Sequence, residues 1–304
     1  MNAVSLPLKF QIGARTVASI RRHLQRVPLD LAAVIAGAVP ALPPLDAAAH
    51  GYHITSLPED RLAAITAARP GMIAFVRQRY TRYFADLTLG YEAYLATMSS
   101  NTRSSLKRKA KKVAATSGGV LDVRRFRTPA EMTAFHTVAR QISATTYQEK
   151  LLGAGLPADA AFVQRMAALA AADAVRGWLL YVGEAPAAYL YCPIEAGTVR
   201  YDYLGHDPAF NDLSPGGVLQ LEAMRDLCGA PGLARFDFTE GEGQHKRQFS
   251  TGGVACVDVL LLRASLGNRL TMLALATFDR GTALAKRGVQ RFGLGDWAKK
   301  IRRA

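Results

Sequence analysis

The chain has 304 residues, of which half are hydrophobic, 8% aromatic and 20% charged. That composition excludes a collagen-like, low-complexity or disordered protein and gives enough apolar surface for about two domains. The formal net charge of +14 sits in two segments, because residues 101–127 carry nine Lys/Arg against one Asp and residues 286–304 carry seven against one. A neutral body with two basic patches points to an anionic partner: lipid, nucleic acid, or an acidic carbohydrate or nucleotide.

Residues 1–98 form a first region with strands expected at 8–12, 71–76 and 84–87, helices at 29–38 and 59–68, and a proline-bearing connector at 41–49. Asn101 is the expected cap of a helix over 102–116. Its narrow apolar face is Leu106, Ala110, Val113 and Ala114, and Arg103, Lys107, Arg108, Lys109, Lys111 and Lys112 cover the rest. Ser117-Gly118-Gly119 ends it. A regular alternation follows: a strand over 120–126, a helix over 129–143 opened by Pro129, and a helix over 159–173. Strands are expected at 178–183 and 187–194, joined at Glu184-Ala185-Pro186, then at 198–204. A helix over 218–228, a strand over 235–238, a short helix over 244–249 and a strand over 254–262 complete it. The order β-α-α-β-β-β-α-β-α-β predicts an α/β (α+β) mixed sheet with helices on both faces over a domain spanning 99–263.

The last region, 264–304, is a basic amphipathic helical tail. Leu266, Leu270, Leu273, Ala274 and Phe278 give it an apolar face. Val289, Phe292, Leu294 and Trp297 then interleave with Lys286, Arg287, Arg291, Lys299, Lys300, Arg302 and Arg303, the pattern of a helix on an anionic membrane surface. Cys192, Cys228 and Cys256 are odd in number and lie in apolar contexts, which predicts reduced thiols in a cytoplasm. No Cys/His pair has ligand spacing, so no metal is expected. No signal peptide is evident, and the longest apolar stretch, 31–42, is too short to span a bilayer.

Residues 199–249 carry the chemistry. A strand over 199–205 leads into Ser214-Pro215-Gly216-Gly217 and a helix. A Gly-rich turn feeding a helix start offers the backbone N–H groups of Gly216, Gly217 and Val218, with the positive end of the helix dipole, to a phosphate. A second strand ends in Thr239, Glu240, Glu242, His245 and Lys246, placing acid, base and cation beside that cradle. The pairing of a phosphate cradle with an acid/base cluster points to an enzyme with a phosphorylated donor.

Three segments, 83–113, 201–221 (YDYLGHDPAFNDLSPGGVLQL) and 236–249 (FDFTEGEGQHKRQF), resemble the GNAT acyltransferase fold, and more narrowly its CelD-like branch, related to the FemAB-like transferases. The resemblance covers about 83–262. It implies that residues 1–98 are an incomplete GNAT-like half. It also implies an acetyl-CoA or other acyl-CoA donor at the helix after the fourth strand, and transfer to an amine or hydroxyl of a cell-envelope or polysaccharide precursor. The fourth and fifth strands of such folds splay. On that pattern Glu240 is the expected general base, with His245 the alternative, and Tyr203 protonates the leaving thiolate. Ser214, Gly216, Gly217 and Val218 bind the donor, while Asp202, Asp237, Lys246 and Tyr147 line the substrate site; Asp237 has the alternative of a structural pair with Lys246 or Arg247. One departure stands out: the cation that precedes the pyrophosphate loop in GNAT enzymes is missing, and Asp212 is acidic. Two other readings stay open. One is a FemAB-like transferase using aminoacyl-tRNA, whose phosphates the helix over 102–116 would meet. The other is a non-catalytic GNAT-like scaffold in a polysaccharide biosynthesis complex, bound by its basic helix and tail to a synthase complex or peripherally to the inner membrane face.

Overall fold

The computed structural model describes residues 3–12, 15–146, 149 and 155–291, the last six by their backbone alone. Tyr147 and residues 292–304, with Phe292, Leu294 and Trp297, lie outside the described residues. In chain order the elements are β1 (Val4–Ile12), β2 (Arg15–Pro28), α1 (Leu31–Ile35), β3 (Gly51–Pro58), α2 (Leu62–Ala67) and β4 (Met72–Asp86). Next come α3 (Tyr91–Thr97), α4 (Ser100–Ala115), β5 (Asp122–Phe126), α5 (Pro129–Thr145) and α6 (Ala160–Ala171). They are followed by β6 (Val175–Val182), β7 (Ala185–Glu195), β8 (Thr198–Arg200), β9 (Tyr203–His206) and α7 (Pro215–Leu227). The last are β10 (Arg235–Asp237), α8 (Gln244–Phe249), β11 (Gly252–Arg263) and α9 (Leu266–Arg291).

The chain divides into two compact units, Met1–Arg79 with Cys256–Ala304, and Tyr80–Ala255. Boundaries read from composition at 98/99 and 263/264 differ from these, because β4 and β11 each run from one unit into the other. In the first unit β1 and β2 form an antiparallel hairpin, β2 pairs parallel with β3, and β3 pairs antiparallel with β11. Leu8, Phe10, Leu24, Leu260 and Leu262 pack against Met272 and Leu275 of α9 in its core. Composition suggests neither β2 nor β3 clearly: β2 (RTVASIRRHLQRVP) carries Arg21 and Arg22 on opposite faces, so it lacks the apolar period of a half-buried strand.

In the second unit β10 pairs antiparallel with β4 and parallel with β8, and β7 pairs antiparallel with β6, β8 and β9. β5 pairs antiparallel with β6 at the far end. From β5 to β11 the order is the predicted β-α-α-β-β-β-α-β-α-β, with the fourth strand in two pieces, β8 and β9. The helix starts are written locally. Thr128 and Glu131 form a reciprocal capping box before Pro129, and Asp159 caps α6. Ser99, rather than the expected Asn101, caps α4 by accepting from the Thr102 N–H at 3.2 Å. Two cores lie in this unit. One gathers α7 with Leu106 and Val113 of α4, Leu204 of β9 and Phe236 of β10. The other gathers α5 and α6 with Tyr189, Tyr191 and Tyr203. Consecutive residues of a strand face opposite sides, so Leu204 turns to α7 and Tyr203 to α5 and α6. The three cysteines are free thiols; burial pushes Cys228 up to about 11 and Cys192 upward as well, which keeps both protonated.

Candidate active site

β9 leads directly to the start of α7. His206 Nε2 lies 2.8 Å from Asn211 Oδ1, which ties down the loop between them. Ser214 takes the left-handed conformation (φ +52°) and opens α7 without a side-chain cap; Pro215 then fixes the first helical φ. The Ser214 carbonyl accepts from Gly217 N–H at 3.1 Å and Val218 N–H at 3.4 Å. Both N–H groups thus already point into the helical ladder, and the cradle is narrower than the sequence suggests. A Cβ on buried Gly216 would sit 3.1 Å from Leu204 Cδ2, whereas one on half-buried Gly217 would meet only Leu106 of α4, at 3.8 Å. Gly216 is therefore demanded by packing on β9, and Gly217 stands in more open space.

The same geometry answers the missing loop cation. Lys112 of α4 donates from Nζ to the Asp212 carbonyl at 3.2 Å, so a lysine from a distant part of the sequence stands at the loop entering α7. Ser105, Lys109 and Lys112 share that flank of α4 by helical spacing. One turn into α7, Gln220 is 2% exposed, and neither its Oε1 nor its Nε2 has a hydrogen-bond partner. Helical side chains lean toward the preceding turn, which puts this carboxamide over the turn of Gly216 and Gly217.

Next to the helix start the sheet divides. Thr198, Val199 and Arg200 run parallel to Arg235, Phe236 and Asp237 in strict register, and Tyr201 N–H donates to the Asp237 carbonyl at 2.9 Å. From Tyr203 onward the strand is β9, whose register partners are Ala188–Tyr191 of β7. The run that reads as one strand thus breaks at Tyr201-Asp202, where Arg200 grips Asp202 through two hydrogen bonds of 2.7 and 2.8 Å. β9 and β10 diverge there, beside the cradle.

The floor of the fork is charged and rigid. Asp237 is 1% exposed and accepts from Arg82 of β4 at 3.2 and 2.6 Å, and also from Thr239 N–H at 2.9 Å. Its partner is therefore Arg82, not Lys246 or Arg247 as the sequence suggested, since the β4–β10 ladder brings residues 155 positions apart together. Such a paired carboxylate holds structure instead of meeting substrate. Lys246, also buried, donates to the Glu240 carbonyl at 2.5 Å and closes the loop between β10 and α8. Desolvation lowers its pKa, partly offset by Glu240 and Asp237. Glu240 is exposed on that loop, just past Thr239 (φ +60°) and before Gly241 (φ +88°), two left-handed residues that turn the chain sharply.

The His245 ring lies 5.9 Å from the Tyr201 ring, with Nε2 3.5 Å from the Tyr201 hydroxyl. Burial and then neighbouring Lys246 lower the His245 pKa below its ordinary 6.5, so the imidazole is neutral at pH 7. Burial raises the Tyr201 pKa and keeps that phenol protonated. Tyr203, expected as the thiolate acid, packs edge-on to Phe162 and against Tyr191 on the face away from α7. Tyr201 is the phenol at the fork. Both tyrosines lie in the YDY run, and the break after Tyr201 is what tells them apart. Arg82, Lys112 and Gln220 carry no local signal at all. Among the described residues no group of His, Cys, Asp and Glu is placed to hold a metal, and no helix is long and apolar enough to cross a membrane.

Residues 100–247 match the family model of the acetyltransferase (GNAT) domain. A comparison with curated proteins finds no match. Among solved structures, the C-terminal domain of a protein from Agrobacterium fabrum named as a lysylphosphatidylglycerol synthetase aligns with a TM-score of 0.51 at 12% identity, over 76% of this chain and 73% of that one. FemX aligns with a TM-score of 0.49 at 11% identity over 75% of both chains. L-PGS from Bacillus licheniformis aligns with a TM-score of 0.45 at 14% identity, over 74% and 71%. Residues 100–247, which hold the forked sheet and the glycine-opened helix beside it, form an acetyltransferase (GNAT) domain.

Proposed function

We propose that the chain transfers an acyl group from acyl-CoA to an amine or hydroxyl of a cell-envelope or polysaccharide precursor. The observation that carries this reading is the fork between β9 and β10 opening beside the N-terminus of α7. An extended donor arm with amide groups fits the unpaired edge of β9, whose backbone N–H and C=O groups await partners. The donor pyrophosphate then meets Gly216, Gly217 and the dipole of α7, with Lys112 and Lys109 of α4 supplying the positive charge the loop itself lacks. The acceptor arrives at the β10–α8 loop. Glu240 takes its proton as it attacks the thioester carbonyl; the C–S bond breaks, and the leaving thiolate collects a proton from Tyr201. His245, neutral beside Tyr201, is the alternative base.

The test uses Gly217→Asp. An aspartate in the first turn favours the helix dipole and has room, so the fold is retained. Its carboxylate repels a phosphate at the same place. Calorimetric titration with acetyl-CoA and CoA should show saturable binding that weakens on the order of tenfold or more in the variant, with an unchanged melting temperature. Equal affinity removes the cradle. No binding by the wild type favours aminoacyl-tRNA as donor, for which the exposed Lys107, Arg108 and Lys111 of α4 form a ready surface.

A further inference from the structure

α9 is a 26-residue helix with two apolar faces. One is docked. Met272 and Leu275 are buried, and Phe278 meets Phe10 edge-on at 5.3 Å. Arg22 of β2 hydrogen-bonds the Gly267 carbonyl at 3.1 Å and the Thr271 hydroxyl. The other face is bare. Leu266, Leu270, Leu273 and Leu284 are 75%, 57%, 63% and 65% exposed. At 100° per residue these four fall on one stripe, with Leu284 five full turns beyond Leu266. Exposed Arg269 and Arg280 flank it.

We infer that this stripe is an interfacial membrane-binding face, lying on a bilayer that carries anionic phospholipid. The charges choose the occupant. Within α9 the cations are Arg269, Arg280, Lys286, Arg287 and Arg291, and the single acid is Asp279. Asp279 is already engaged by Arg77 at 3.3 Å. A second copy of α9 laid on the stripe would set arginine against arginine with no free acid to answer it. An anionic headgroup layer answers Arg269 and Arg280 beside the stripe, while the leucines enter the acyl boundary. The docked face holds the helix in place, so binding needs no unfolding of the core. Beyond α9 the sequence adds four Lys/Arg against one Asp over residues 292–304. This inference does not depend on the acyl-transfer reading, since it uses none of the residues of the fork.

The experiment is co-sedimentation of the full chain with phosphatidylcholine vesicles, with and without phosphatidylglycerol. Binding is expected only with phosphatidylglycerol and should fall as salt is raised. Leu270→Glu with Leu273→Glu should reduce it on the order of tenfold or more, and Arg269→Ala with Arg280→Ala should weaken it several-fold. The substituted side chains are solvent-exposed, so circular dichroism and melting should match the wild type. Three results overturn the inference: no sedimentation with phosphatidylglycerol; undiminished binding of the glutamate variant, which would assign all affinity to the basic tail; or a concentration-dependent dimer, abolished by the glutamates, in a protein that ignores vesicles.

Discussion

Each unit of this chain has an interruption in its strand pairing whose polar groups can be traced, and the two are treated in opposite ways. In the first unit the β3–β11 register slips between Val257 and Val259. The gap is filled there: Ser56, buried and left-handed (φ +58°), donates its N–H to the Asp258 carboxylate at 3.0 Å. In the second unit the strand breaks at Tyr201-Asp202, and the carboxylates beside the gap are drawn elsewhere. Asp202 turns to Arg200, and Asp237 turns to Arg82. A plugged interruption restores a sheet, and one whose polar groups are pinned aside leaves an unpaired edge where a substrate arm can lie.

The largest expected effect comes from unpinning the fork. Arg82→Ala leaves the Asp237 carboxylate buried without its ion-pair partner, which should cost about 3–5 kcal/mol in chemical denaturation. Asp258→Ala removes a hydrogen bond to a charged group at the plugged interruption and should cost about 1.5–3 kcal/mol. An equal or reversed order would break the comparison, because it would mean the two interruptions are held with similar force. A smaller effect is on turnover and its pH dependence. Glu240→Gln should lower kcat on the order of a hundredfold with little change in donor affinity. His245 has its pKa depressed by burial and Lys246, so it stays neutral to lower pH than a free histidine, and any limb it contributes must fall below pH 6.5. His245→Gln should remove that limb and leave most of kcat at pH 7.5. The opposite pattern, with His245→Gln inactive and Glu240→Gln active, would move the base to the histidine.

The α/β order of the second unit was legible because each element carries its own signal. Pro129 after Thr128 marks a helix start, 3.6-residue periodicity marks α4 to α6, and SPGG marks the entry to α7. The family resemblance added the expectation of splayed strands. What could not be read was the place where the sheet opens. Val199 to Gly205 has strand propensity throughout, and the break is decided by β10 ending at Asp237, a partner dozens of residues away. The different surroundings of the two tyrosines follow from that break: Tyr201 stands at the fork, and Tyr203 packs on Phe162 and Tyr191. Arg82 and Lys112 reach the site only through tertiary pairing. In the first unit, β2 hides behind its arginines, and the exposure of the α9 leucines depends on which of two apolar faces docks, which periodicity alone does not decide.

The most direct test of the central claim is hydrogen exchange of the full chain with and without acetyl-CoA. Protection should rise over residues 201–206 and 214–220, the open strand edge and the helix start, while residues 51–58 of the plugged sheet exchange unchanged. Binding without added protection in those two segments, or with protection confined to 51–58, would contradict the assignment of the fork as the donor site.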